Sequence, residues 1–361
     1  MATSENTQTL LDSSAAFALI EDIFQKLEIS PDDCTTVAET LMEASLSGYD
    51  SHGIMRVPMY AADIRRGAID VGAQLEIVQE TPASIHLDAH FALGPIAATE
   101  AVRLASTKAE EVGIGCVGLG NSNDIGRLGG YLHRPASAGL IAVMLVNDAG
   151  GGPWVAPWGG TQPFLSTNPI AAAIPWRQDL PIVIDISTSI VAGGKLKMLA
   201  NLDQTPPEDW LVDLKGNPTT DLSSFFTLPR QSSILPLGGL VAGHKGFALS
   251  LLVDLLAGAL GGSGCSSGEE SDLNRNGVFV VAIDPAKFVG RQQFEASVTQ
   301  FVARLKVTDK APGTDEILVP GERAHQERQK RRRNGIPVDA PTRAAITALL
   351  TEIDLKNTYG L

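Results

Sequence analysis

The stretch Gly115-Cys116-Val117-Gly118-Leu119-Gly120-Asn121-Ser122-Asn123 decides what kind of fold this chain has. A β-rich run leads straight into glycines spaced as in a dinucleotide-binding Rossmann unit, which needs G-x-G-x-x-G between strand and helix and an acid about 20 residues later. Asn123 stands where the third glycine is required. A phosphate loop ending in Gly-Lys-Ser is absent as well. These motifs alone supply no nucleotide site.

Outward from that stretch the pattern is strand and helix in alternation. Ala83-Ser84-Ile85-His86-Leu87 precedes a helical pattern from about Pro95 to Val112, and Leu140 to Val146, Ile182 to Ile186 and Val278 to Asp284 read as buried strands. With a helix over Phe247 to Leu260 this is an α/β arrangement. Towards the amino end, Phe17, Ile20, Ile23, Phe24 and Leu27 recur at helical spacing. Ser30 with Pro31 marks the start of a second helix, as cap and first helical residue. Pro58 opens another helix through Tyr60, Ile64 and Arg65 that ends at Gly67. Residues before proline avoid the helical region, so Val57 predicts that Ser51 to Val57 is irregular. The tract Gly261-Gly262-Ser263-Gly264-Cys265-Ser266-Ser267-Gly268 predicts a mobile loop. From about Asp309 the chain returns to helix and loop, and no internal repeat is visible.

With 361 residues, 44% of them hydrophobic, the chain can bury a large core and form about two domains. A net charge of −13 argues against a nucleic-acid partner, because phosphate binding needs a basic face. The basic run Arg328-Gln329-Lys330-Arg331-Arg332-Arg333 predicts a solvated helix face, with Glu322 and Glu327 as pairing partners. Cys34, Cys116 and Cys265 are too few and scattered for a disulfide framework or a metal knuckle, which fits a reducing compartment. Met1 to Thr7 has no basic start or apolar core for export, and no run of about 18 apolar residues occurs. The expectation is a cytoplasmic protein with no membrane partner.

Chemistry concentrates in Tyr49-Asp50-Ser51-His52-Gly53-Ile54-Met55-Arg56-Val57-Pro58-Met59-Tyr60. A ketone that accepts a hydride at carbon must take a proton at oxygen. A histidine, with an ordinary pKa of about 6.5, supplies one near neutrality. An arginine fork holds a neighbouring carboxylate. On residue types alone, the alternative is a loop histidine bonded to a backbone carbonyl beside a surface arginine. The irregular backbone before Pro58 predicts that His52 and Arg56 project into a cleft.

These residues, with Asn121-Ser122-Asn123 and Gly126, Val155 to Gly160, Thr167-Asn168-Pro169, Ile184 to Ser189, Leu235 to Gly239, Gly243-His244-Lys245-Gly246 and Pro320-Gly321-Glu322, resemble the malate/L-lactate dehydrogenase family in the right order from about Gly48 to Pro337. The resemblance implies a non-Rossmann NAD(P)-binding α/β domain with a mixed sheet, plus a mainly helical domain built from both chain ends. The expected regions are 1–73, 74–308 and 309–361, the last returning to the first. It implies a hydride moved to or from the 2-position of a small 2-oxo or 2-hydroxy acid, with His52 as acid and base and Arg56 clamping the carboxylate. Ser51, Asn123 and Thr167 would complete the substrate site. Asp185 would orient His52 or touch the cofactor. NAD or NADP would be held by Asp185, Ser187, Thr188, Ser189, His244, Lys245, Pro320, Gly321 and Glu322. Hydroxyls and amides after a strand suit a diphosphate, and Lys245 offers it a point charge; helix capping before Val191 is the other reading of the Ser/Thr cluster. No metal is called for, and a homodimer is expected.

One departure stands out. Where the family usually has a histidine after Asn-Ser-Asn, this chain has Asp124. A carboxyl titrates near 3.9 rather than 6.5 and carries the opposite charge. Three readings follow. His52 alone is the acid/base, with Asp124 reshaping the pocket, paired with Arg127; Asp124 contacts a cationic substrate such as a cyclic imine, making an imino-acid reductase; or the protein binds a ligand without turnover.

Overall fold

A computed structural model describes residues 9–177, 179–269, 271 and 273–361; Met1 to Thr7, read above for export, lies outside the described residues. Among these, the central sheet runs in the order Glu76–Glu80, Ser84–Asp88, Ile114–Ser122, Asn276–Ile283, Ile141–Asp148, Ile170–Arg177, Leu180–Ile186. Ser84–Asp88 and Ile114–Ser122 are parallel and are joined by the helix Gly94–Val112. The remaining neighbours are antiparallel. The sheet is therefore mixed, as expected.

The opening stretch explains its own glycines once the sheet is seen. Val117 and Leu119 are fully buried with Ala97, Ala98, Ala101, Ala105 and Ala109 of the parallel-connection helix, whose small side chains let helix and strand approach closely. On the other face, a Cβ on Gly120 would come within 2.8 Å of the Gly261 carbonyl. The glycine spacing thus serves close packing against the Gly261–Gly262 turn.

A second layer is helical. Asp12 caps Ser13–Lys26 and Ser30 caps Pro31–Leu46 by accepting from Asp33 N, with Pro31 at the first helical position as predicted. Leu19, Ile23, Phe24, Leu41 and Tyr60 form one buried cluster with Ile336, Val338, Ile346 and Leu350, so both chain ends share a core. Each such aliphatic side chain contributes about 1.5–3 kcal/mol on burial. The strand Thr9–Leu11 pairs antiparallel with Ile336–Val338 and ties the ends together.

Four expectations are corrected. Val57 is helical (φ −53°, ψ −50°) and opens the helix Val57–Arg65 in spite of Pro58; its side chain is fully buried, and packing outweighs the pre-proline preference. The helix expected from Phe247 begins at Gly239 and widens into π-helical turns over Asp254–Leu260. The Gly/Ser tract is pinned: Ser263 Oγ donates to Asn276 O and accepts from Asn121 N, both at 2.8 Å, and Ser266 donates to Asp254. The basic run is only partly solvated, since Arg328 reaches Glu43 and Ser47 while Arg331 is buried between Glu327 and Asp50. Glu322 pairs with Lys306 instead. The helix Gly239–Leu260 is long and apolar enough by composition to cross a membrane, with a mean hydropathy of 1.5, but His244, Lys245 and Asp254 interrupt it, so no run of about 18 apolar residues occurs. One side of it, Val253 and Ala257, packs on Leu145 of the sheet.

Candidate active site

Two short 3-10 turns, Asp50–His52 and Ile54–Arg56, carry His52 and Arg56 away from the helical layer. Gly53 sits between them against Ser45, where a Cβ would overlap the Ser45 hydroxyl; the Ile54 amide donates to that hydroxyl at 2.9 Å. Both side chains reach a cavity of about 190 Å³ that Asp124, Asn147, Asp148, Thr167 and Gly193 also line.

His52 Nδ1 is 2.9 Å from Ser51 Oγ, and Nε2 has no protein partner among the described residues. Burial, reinforced by the Arg56 charge and opposed by Asp124, pushes the imidazole down to about 4. It is neutral at pH 7. Arg56 donates from Nε to Ser51 O at 2.8 Å and lies 3.5 Å through Nη1 from Asp124 Oδ2. Its Nη2 is left without a protein partner among the described residues. Burial alone would lower the Arg56 pKa, but Asp124, Tyr60 and Asp63 raise it, so the guanidinium stays charged.

Asp124 is held by Tyr60, whose hydroxyl donates to Oδ1 at 2.9 Å, and by the Gly126 amide at 3.1 Å. The expected pairing with Arg127 is therefore replaced by pairing with Arg56. Arg127 is buried under the site instead: Nη1 donates to both oxygens of Glu43 at 2.7 Å and Nε to Asp185 at 3.2 Å. Its guanidinium also stacks 3.9 Å from the Tyr49 ring centre. Burial raises Glu43, yet Arg127, Arg328 and His133 together bring it below the usual carboxylate range. Asp185 takes its hydrogen bonds from Arg127 and from Gly129 N at 3.0 Å. It does not orient His52; Ser51 holds that position. Burial, against Arg127 and the Gly129 amide, raises the Asp185 carboxyl.

Asn123 is fully buried, accepting from Asp124 N and donating to Ala68 O, and its amide braces the loop from beneath. Thr167 connects the cavity to the expected cofactor residues, since its carbonyl takes both the amide and the hydroxyl of Thr188. Ser187 and Ser189 bond to each other and to nearby carbonyls. The three expected cofactor segments adjoin. Ser189 bridges to Pro236, Leu237 N donates to Thr188 O, and Val183 N donates to Pro320 O. They therefore lie along the edge strand Leu180–Ile186, Pro320 beside its middle and Ser189 beyond its end.

The residues there would suit the anionic part of a dinucleotide. Gly238 begins the helix Gly239–Val253 with no side-chain cap, leaving first-turn amides for an anion. His244 and Lys245 follow on the exposed surface of the same helix, His244 edge-on to Trp158 at 5.7 Å. Glu322 is committed to Lys306 and to Val319 N, and Gly321 packs on Pro181 and Val183. No group of three or more metal-ligating side chains occurs among the described residues.

Asp148 escaped the sequence reading, which gives Arg127 only Asp124 as a partner. Nothing in sequence reveals the partners of Arg127 84 and 58 residues away. Asp148 ends a strand and precedes Gly150-Gly151-Gly152, an acid at a strand end before a glycine turn, which is a usable signal. Its Oδ1 accepts from Gly150 N, Gly151 N and Arg275 N. Burial outweighs those donors and raises its carboxyl.

The comparisons with known proteins identify the family and the fold. A malate/(S)-sulfolactate dehydrogenase of Methanothermus fervidus is 34% identical over 347 residues, covering 95% of this chain and 97% of the relative. The solved malate dehydrogenase of Pyrococcus horikoshii OT3 superposes with a TM-score of 0.87 at 30% identity, over 100% of this chain and 99% of that one. The δ1-piperideine-2-carboxylate reductase of Pseudomonas syringae pvar. tomato superposes with a TM-score of 0.82 at 28% identity, over 94% and 99%. The family description malate/L-lactate dehydrogenase matches residues 11–347, and the chain belongs to that family of oxidoreductases.

Proposed function

We propose that this protein is a nicotinamide-dependent dehydrogenase of small 2-hydroxy acids, working through His52 and Arg56. The observation that carries the reading is the pair of nitrogens without a protein partner among the described residues, His52 Nε2 and Arg56 Nη2, on two residues that line one cavity. Arg56 Nη2 takes the substrate carboxylate. With Nδ1–H donating to Ser51 Oγ, Nε2 presents its lone pair to the 2-hydroxyl and removes that proton as the C2 hydride leaves. Reduction runs the same proton back. The uncapped start of the helix Gly193–Asn201 also lines the cavity, and its amides favour the anionic end of the substrate.

A nicotinamide held there would supply the hydride acceptor or donor. Ser187, Thr188, Lys245 and the first turn of Gly239–Val253 would hold the diphosphate, with Pro320 to Glu322 bracing the strand beside it. We further infer a cytoplasmic homodimer, supported by three unpaired cysteines and by exposed apolar residues such as Val241 and Leu255 on the long helix.

A second reading, reduction of cyclic imino acids, is favoured by Asp124 in the cavity and by the structural likeness to the piperideine-carboxylate reductase. Absorbance of the reduced nicotinamide, with NADH and NADPH separately, against 2-oxo acids and cyclic imino acids decides between them. Turnover of 2-oxo acids that disappears in His52→Ala while cofactor still binds supports the first reading. A preference for imines, damaged by Asp124→Asn, supports the second. Silence on both panels overturns both.

A further inference from the structure

The chemistry above leaves Asp148 without a role, although it lines the same cavity. Oδ1 is saturated by three backbone donors, Gly150 at 3.1 Å, Gly151 at 2.8 Å and Arg275 at 3.1 Å. Those bonds fix the carboxyl plane. Oδ2 has no protein partner among the described residues. Its position depends on a glycine, because a Cβ on Gly151 would overlap Oδ2, and the same point lies 2.9 Å from Asn274 Oδ1. Gly151 and Asn274 both line the cavity. A carboxylate oxygen is thus held in place at the cavity wall with one hydrogen bond unmade.

We propose that Asp148 is a specificity-determining residue that reads the end of the substrate remote from Arg56. It favours 2-hydroxy and 2-oxo acids that carry a hydroxyl or ammonium donor there over those that carry a second anion. The inference rests on the 2-hydroxy-acid reading above. A distal donor supplies the bond that Oδ2 lacks. A second carboxylate or sulfonate meets an acceptor of like charge. The cationic side chain of the cavity, Arg56, cannot offset that anion as well, since it is already shared between Asp124 and the reacting carboxylate. A site built around a polar partner rejects ligands that leave that partner unpaired.

The test compares four ligands at alkaline pH: 2-hydroxybutyrate, 2,4-dihydroxybutyrate, 4-amino-2-hydroxybutyrate and malate. Both kcat/KM and calorimetric dissociation constants are measured on protein saturated with whichever of NAD or NADP it binds. The donor-tailed acids should rank first and malate last, about tenfold or more below 2-hydroxybutyrate. In Asp148→Asn the ratio of 2-hydroxybutyrate to malate should fall about tenfold, and Gly151→Ala, which displaces the carboxylate, should move it the same way. Malate ranking first in the wild type, or an unchanged ratio in a folded Asp148→Asn, overturns the proposal. The wild-type ranking needs no variant, so a misfolded substitution leaves the test intact. Absence of turnover with all four ligands defeats the dehydrogenase reading alone if binding still follows the predicted order; absence of binding as well defeats both.

Discussion

Arg56 Nη1 lies 3.5 Å from Asp124 Oδ2, and Tyr60 locks that carboxylate by donating to its other oxygen at 2.9 Å. The arginine assigned to the substrate carboxylate therefore carries a counter-charge of its own. A histidine at position 124 would leave Arg56 unneutralised. On the proposed role of Arg56, the incoming carboxylate would share the guanidinium, through Nη2, with a fixed neighbour.

Asp124→Asn should then tighten binding of carboxylate substrates. Asparagine keeps an acceptor for Tyr60 and Gly126 and removes the competing charge. The pair is about a fifth exposed on each side, so its charge is worth about 1 kcal/mol, or roughly fivefold in KM. Steady-state kinetics with a 2-oxo acid reads this directly. A KM that rises instead would place Asp124 in contact with the substrate, and a rise confined to cyclic imines would favour the imine-reductase reading.

The depressed imidazole sets the pH dependence. With His52 near 4, the base form dominates from neutrality down. Oxidation should keep its kcat/KM until the pH approaches about 4, while reduction, which needs the imidazolium, should accelerate as the pH falls towards that value. An acidic limb near 6.5 in the free enzyme would count against His52 as the base. His133 is likewise pushed down to about 4, by burial first and then by Arg328. Both rings are neutral when folded and bind protons when unfolded between about 6.5 and 4, so stability is full above 6.5 and declines as the pH falls through that window. Urea midpoints across the range check the direction.

Arg127 should matter more for stability than for chemistry. It is buried with Glu43 and Asp185, and truncation to Met leaves two carboxylates short of a partner. Breaking a buried pair costs about 3–5 kcal/mol, and the lower end is expected because Arg328 still reaches Glu43 and the Gly129 amide still reaches Asp185. Equilibrium unfolding of Arg127→Met tests the figure. A loss under about 1 kcal/mol would mean that the network adds little.

The sequence revealed elements whose local preference and tertiary fate agree. Val278 to Ile283 and Ile182 to Ile186 are rich in β-branched residues and are strands. Ile170-Ala171-Ala172-Ala173-Ile174 went unread because three alanines favour helix; two flanking strands hold it in the sheet. The site shows the same division. His52, Arg56, Asp124 and Thr167 were nameable from short motifs and share one cavity. The orienting partner of His52 was not: the aspartate suggested by family likeness is engaged by Arg127, and the neighbouring Ser51 takes its place. Such exchanges depend on contacts across 58 residues or more, which periodicity does not report.

The Gly/Ser tract offers the sharpest separation of composition from structure. Ser263 Oγ bridges Asn121 N and Asn276 O, joining the tract to the ends of two central strands, and the residue is buried. In Ser263→Ala the Asn121 amide loses its acceptor in a partly buried site, which costs about 1 kcal/mol. Hydrogen exchange at Asn121 should speed up while amides of Gly94–Val112 keep their protection, because only the strand end is released. A mobile loop would show neither effect: unchanged exchange at Asn121 and unchanged stability would mean that the tract moves as its composition suggests.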